Sequence, residues 1–219
     1  MWLVYNYYMD WEEFDFIRKY VRGSDTVFDV GANIGVYTMW LSQFTDRICS
    51  FEPDPENYRR CMENIRLNGL SARLEQMALS DRAGRLQLSI GKDMENHLVL
   101  GEGGQSVMGI TLDEYCAQRG IARIGFMKID VEGAELLAFR GATNMLSRHA
   151  IDVIQLELAP RALGTFGIRP EDVVSMLTGH GYSLYTYDHE LRALDERHPQ
   201  NVYAVADAAA VRSRLGATS

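Results

Sequence analysis

The sequence predicts a single doubly wound α/β domain, with a mostly parallel sheet of seven strands that ends in an antiparallel hairpin. Three observations carry this. A short β-branched run at residues 26–30 stops at a glycine and passes into a helical pattern. The same strand–helix alternation then repeats, which implies parallel pairing. The last two alternating runs, residues 182–187 and 201–206, are joined only by a polar segment.

Taken in order, residues 10–22 place Trp11, Phe14, Ile17 or Arg18, and Val21 at helical spacing behind Asp10, and the helix stops near Gly23. Residues 1–24 are thus expected to form an N-terminal helical cap, and residues 26–206 the core. After the first strand, residues 34–44 return to helical periodicity. Residues 47–51 read as the second strand, residues 55–68 as a helix opened by Pro55 and closed by Gly69, and residues 72–79 as a third strand. Residues 91–110 are glycine-rich and predict a mobile loop. Two strongly apolar runs, residues 123–129 and 151–158, suit strands buried on both faces, with a helix from 134 to about 148 between them. Residues 172–180 give another helix before the terminal hairpin. No linker divides the chain, so residues 1–219 are expected to be one domain.

Bulk properties narrow the function. The 219 residues carry a formal net charge of -8. That balance works against nucleic acid, whose binding needs basic stripes that release counterions. Cys49, Cys61 and Cys116 are widely spaced, odd in number and outside any metal pattern. They read as reduced structural thiols. No stretch reaches the roughly 20 apolar residues that span a bilayer, and the start, Met1-Trp-Leu-Val-Tyr-Asn-Tyr-Tyr, lacks a basic signal segment. The expected protein is cytoplasmic, with no membrane partner.

The chemistry concentrates at strand ends. In Val27-Phe-Asp-Val-Gly-Ala-Asn-Ile-Gly35, Gly31 and Gly35 bracket a strand-to-helix turn where a missing side chain lets backbone approach a ligand. The alternative is a tight turn that only packs helix on sheet. Asp29 and Asn33 add acceptors and a donor suited to a zwitterionic amino-acid moiety. Glu52 follows Gly31 by 21 positions and would project from the neighbouring strand, as suits bidentate binding of two ribose hydroxyls. A nicotinamide site would use the same acid, and a solvated surface Glu is the plain alternative. Ala78 and Leu79, with Met77 behind, are placed to lie beside an adenine ring or simply to fill the core.

Residues 126–135, Phe-Met-Lys-Ile-Asp-Val-Glu-Gly-Ala-Glu, run a buried strand into Asp130, Glu132 and Glu135. Three carboxylates at a strand's carboxyl edge can orient a cofactor amino group, act as general base, or join Glu157 around a divalent cation. Glu132 and Glu135 equally suit a helix N-terminus. No ligand spacing demands a metal, so none is assigned.

These motifs resemble the successive signatures of the FkbM family of methyltransferases: Phe28-Asp-Val-Gly-Ala-Asn-Ile-Gly-Val-Tyr-Thr38, Phe51-Glu-Pro, Thr111-Leu-Asp113, Lys128-Ile-Asp-Val-Glu-Gly-Ala-Glu135 with Arg140-Gly-Ala142, and Leu156-Glu157. The resemblance covers roughly residues 26–206 and rests on the order of the motifs. It implies a Rossmann-like class I methyltransferase fold, S-adenosylmethionine as cofactor, and oxygen methylation of a small-molecule hydroxyl on a natural product or sugar. It also implies Gly31, Asn33 and Gly35 at the cofactor, Glu52 on the ribose, and Asp130 near the methionine end. The terminal hairpin fits by fold analogy, because dinucleotide dehydrogenases usually continue with parallel units.

For the base that takes the acceptor's proton, Glu132 comes first, with Glu157 and Asp130 behind it. His97, in the glycine-rich segment, is the other candidate. The aromatic start, Trp2, Tyr5, Tyr7, Tyr8 and Trp11, suits an acceptor pocket, and equally half-buried packing or a homodimer contact. Two further readings stay open. A nicotinamide oxidoreductase would want a Gly-x-Gly-x-x-Gly turn, which Gly31-Ala-Asn-Ile-Gly35 is not. A non-catalytic scaffold would not need Glu52, Asp130 and Glu132 intact.

Overall fold

The computed structural model describes residues 11–88, 98–99, 104–193 and 201–216. In chain order its elements are α1 (Trp11–Tyr20), β1 (Val27–Val30), α2 (Val36–Leu41), β2 (Ile48–Phe51), α3 (Pro55–Leu67), β3 (Arg73–Glu75), β4 (Ala78–Leu79), β5 (Gly84–Leu88), β6 (Leu98–Val99), β7 (Gln105–Ile110) and α4 (Leu112–Arg119). There follow β8 (Phe126–Ile129), α5 (Glu135–Arg140), α6 (Thr143–Ser147), β9 (Val153–Glu157), α7 (Pro160–Gly164), α8 (Pro170–Gly179), β10 (Ser183–Tyr187), β11 (Leu191–Ala193), β12 (Asn201–Val205) and α9 (Ala208–Gly216).

The main sheet runs β11-β10-β12-β9-β8-β1-β2-β3. Its centre is parallel, with Val27 beside both Ile48 and Phe126, and Met127 beside Ile154. β12 enters antiparallel between β9 and β10, as Asn201 opposite Glu157 and Ser183 opposite Val205 show. The seven expected strands are therefore present in the expected sense, and the polar connection adds β11 as an eighth, edge strand. β1, β2 and β8 are buried along their whole length, and β9 along all but Glu157, because helices cover both faces.

Two local expectations change. The run at 72–79 is not one strand: β3 pairs with β2, and the chain then bends at Gln76 and Met77 so that β4 joins a second, four-stranded sheet, β4-β7-β5-β6. Nor is all of 91–110 a loop, since Gln105–Ile110 forms β7, antiparallel to β5. Leu86, Leu88 and Val107 bury the inner side of that sheet against Ala78 and Ala134, and this alternation outweighs the local glycine content. Residues 91–97 and 100–103 lie outside the described residues, as do residues 1–10 of the expected cap.

The helix expected from 134 to about 148 is two helices, α5 and α6, broken at Gly141 and Ala142. α1 lays Phe16, Ile17 and Tyr20 on the sheet, where Phe16 stacks on Tyr203 and touches Phe126 and Tyr187. No helix is long and apolar enough to cross a membrane among the described residues.

Candidate active site

The site forms where β1, β2 and β8 end together. The sheet's hydrogen bonding continues past the strands: the N–H groups of Gly31 and Ala32 both donate to the Phe51 carbonyl, and that of Asp130 donates to Val30. This draws the glycine turn against the residues after β8. A Cβ at Gly31 would stand 1.8 Å from the Asp130 carbonyl oxygen, and its φ of +83° is one that L side chains rarely adopt. Gly35, at φ +94°, serves a different contact: a Cβ there would meet the Cys61 sulfur of α3 at 2.8 Å. It lets α2 pack on α3 and is absent from the cavity wall.

Gly31, Asn33, Glu52, Ala78, Asp130 and Glu132 line one cavity, together with Leu79, Met77 and Leu88. A second cavity shares Asp130 and Glu132 and continues past Glu135 and Glu157 to Ala159 and Ala162. The sequence-predicted residues thus line two adjoining cavities that share Asp130 and Glu132, with two exceptions: Gly35, and Asp29. Asp29 is fully buried in β1 behind the turn, where Thr38 Oγ1 donates to its Oδ2 at 2.6 Å. Burial pushes its pKa up, opposed chiefly by the Lys128 charge. Asp29 therefore supports the turn from below. His97 lies outside the described residues.

Glu52 is 6% exposed, and its Oε2 and Oε1 accept the backbone N–H groups of Asn33 and Asp54 at 2.7 and 2.9 Å. Burial pushes its pKa up to about 7 against those two hydrogen bonds. Asn33, at φ 52°, lines this cavity, and its buried Oδ1 has no hydrogen-bond partner among the described residues. A buried carbonyl oxygen of that kind wants a donor. Glu135 does what a helix N-terminus asks: its Oε1 accepts from Val131 and Gly133, which fixes the bend that presents Glu132. It too is pushed up to about 7, by burial first. Among the described residues no group of three His, Cys, Asp or Glu side chains is placed to hold a metal ion.

Sequence reasoning missed Leu88 and Asn57 on the wall and Lys128 behind it. The alternation Leu86, Leu88 before the glycine-rich segment was the available signal for the first.

Comparison with known proteins decides the family, because the model of the methyltransferase FkbM domain matches residues 29–184. The chain belongs to the FkbM methyltransferase family. Among curated relatives it is 29% identical over 157 residues to hexuronic acid methyltransferase AglP of Haloferax volcanii, covering 70% of this chain and 62% of that protein. It is 27% identical over 215 residues to 31-O-demethyl-FK506 methyltransferase FkbM of Streptomyces tacrolimicus, covering 81% and 80%. The chain thus spans about three-fifths of the first and four-fifths of the second. The fold is shared with a crystal structure of methyltransferase FkbM from Methylobacillus flagellatus KT, at TM-score 0.56 and 16% identity, over 84% of this chain and 44% of that one.

Proposed function

We propose that this FkbM-family chain transfers the methyl group of S-adenosylmethionine to a hydroxyl of a small molecule, a natural product or a sugar. The observation that carries the reading is the cavity that Gly31, Asn33, Glu52, Ala78, Asp130 and Glu132 line together, beside a second that shares Asp130 and Glu132 and reaches Glu157. The names of the two curated relatives, one acting on a hexuronic acid and one on a demethylated oxygen of FK506, support oxygen of a small molecule as the acceptor.

The residues fit the cofactor. Glu52 would offer carboxylate oxygens to the ribose, Ala78, Leu79, Met77 and Leu88 an apolar slot to the adenine, and Asn33 and Asp130, on the same wall, would take the amino-acid end. When bound, the cofactor supplies a sulfonium methyl open to in-line displacement. The chain's task is then to hold an acceptor oxygen near that methyl and take its proton. Glu132 is the first base, with its carboxylate presented at φ 52° by the bend that Glu135 fixes. Glu157, across the second cavity, and Asp130 are the alternates. We place the protein in the cytoplasm, with a homodimer as an open arrangement and no nucleic-acid partner, given its net charge of -8.

Calorimetric titration of the purified chain with S-adenosylmethionine and with NAD, repeated with Glu52→Ala, tests the cofactor site. Saturable binding of the first alone, weakened at least about tenfold by the substitution, is expected. Binding of NAD alone would overturn the proposal. Acceptor screening with and without magnesium then tests oxygen methylation.

A further inference from the structure

Lys128 is the third residue of β8, a strand buried along its whole length, and its side chain is only 8% exposed. An ammonium withdrawn from water carries a desolvation penalty of several kcal/mol, so its partners show what it holds. Register sets Lys128 between Asp29 on β1 and Gln155 on β9. Its Nζ donates to Asp130 Oδ2 at 3.0 Å and lies over the Tyr37 ring, 4.3 Å from the centroid. Its charge also acts on Asp29, which is fixed from the other side by Thr38; the Thr38 hydroxyl lies 2.7 Å from that of Ser50.

Tyr37 and Thr38 belong to α2, the helix that leaves the glycine turn. One buried cation therefore ties the helix behind the turn, the strand before it and the carboxylate across the cavity. Asp130 stands just beyond the end of β8 with its side chain 41% exposed, so its orientation needs an anchor.

We infer that Lys128 is a positioning residue, whose ammonium holds the Asp130 carboxylate turned toward the methionine end of the bound cofactor. This rests on the proposed placement of that end at Asp130. Lys128 touches neither the reacting atoms nor the acceptor in this account. It acts through Asp130, so its effect on cofactor binding should vanish once the Asp130 carboxylate is gone, which a role in stability alone does not require.

A double-mutant cycle on the full chain separates the two roles, read as the Kd for S-adenosylhomocysteine by calorimetry, with a thermal melt of each variant. Asp130→Asn and Lys128→Met should each weaken binding about tenfold or more, and the double variant should bind within about threefold of Asp130→Asn. Lys128→Arg, which keeps the charge, should bind within about threefold of the unaltered chain. Should Lys128→Met fail to fold, Lys128→Gln completes the cycle. Losses that multiply in the double variant, or tight binding by Lys128→Met beside weak binding by Asp130→Asn, overturn the inference. Unchanged binding by Asp130→Asn overturns instead the placement on which it rests.

Discussion

At the scale of residues the site is organised by carboxylates that burial holds back from ionising. Glu52 and Glu135 are both pushed up to about 7. An acid whose folded pKa exceeds its unfolded one binds more protons when folded across the interval between the two, so stability falls as pH rises through that interval. From about pH 4.5 to about 7 each group should therefore cost the ligand-free protein on the order of 1–3 kcal/mol. Denaturant titrations at pH 5 and pH 8 should show greater stability at pH 5. Glu135→Gln should flatten part of the slope, and an unchanged slope would remove Glu135 as a source. Cofactor affinity should run the other way if Glu52 binds the ribose as a carboxylate: Kd should improve between pH 6 and pH 8, and Glu52→Gln should abolish that trend. Much of this residue set was legible, because Gly31, Asn33, Glu52, Asp130 and Glu132 sit at strand ends, which strand–turn–helix patterning locates. Asp29 was legible as a motif residue but not in its role, since only the Thr38 contact shows it beneath the turn. Lys128 was hidden by its neighbours: in Phe-Met-Lys-Ile a single cation reads as an interruption of an apolar strand, and its partners come from β1 and α2.

Among elements, the contacts that seat α5 beside the cavity come from motif residues with no part in the chemistry. Asp113, at the start of α4, accepts the N–H groups of Asn144 and Met145 at 2.8 and 2.9 Å and so satisfies the exposed N-terminal turn of α6. Gly141, between α5 and α6, lies so near β4 that a Cβ there would stand 2.0 Å from the Ser80 carbonyl oxygen. Together they fix the far end of α5, whose near end carries Glu135 and the Glu132 bend. Asp113→Ala should cost about 1 kcal/mol, the usual value of a lost cap, seen as a shift of the urea midpoint at constant slope. It should leave cofactor Kd within about twofold, and a larger loss of binding would move Asp113 into the site. The sequence patterns of Thr111-Leu-Asp113 and Arg140-Gly-Ala142 were visible, but a helix cap supplied from 31 positions away is a tertiary fact. The second sheet was missed for a related reason: β5 and β7 are short, alternating strands beside glycines, and they become strands by pairing with each other over Ala78 and Ala134.

Over the whole molecule, the parts that hold the fold together stand apart from the parts that bind. The cavity draws on the carboxyl ends of β1, β2 and β8 and on the small sheet. The opposite ends of those strands are closed by α1 and the residue after it, where Phe16, Ile17, Tyr20 and Val21 pack with Val27, Ile48, Phe126 and Val153 and with the late strand β12. The chain's two flanks are also joined through polar groups there: Arg214 of α9 pairs with Asp25, and Arg22 donates to the Arg214 carbonyl at 3.1 Å. Phe16 is the centre of this closure, fully buried, with its ring 4.3 Å from that of Tyr203 and 5.1 Å from that of Tyr187. Phe16→Ala removes a large aromatic side chain from a packed core and should cost about 3–5 kcal/mol. For a domain of this size that lowers the thermal midpoint by roughly 6–20 °C. Folded protein carrying the substitution should still bind S-adenosylmethionine within about threefold of the unaltered chain at 15 °C, because neither Phe16 nor its ring partners Phe126, Tyr187 and Tyr203 line the cavity. A loss of affinity matching the loss of stability would mean that α1 and the glycine turn are coupled through the sheet, and that the closure at one end of the strands sets the geometry at the other.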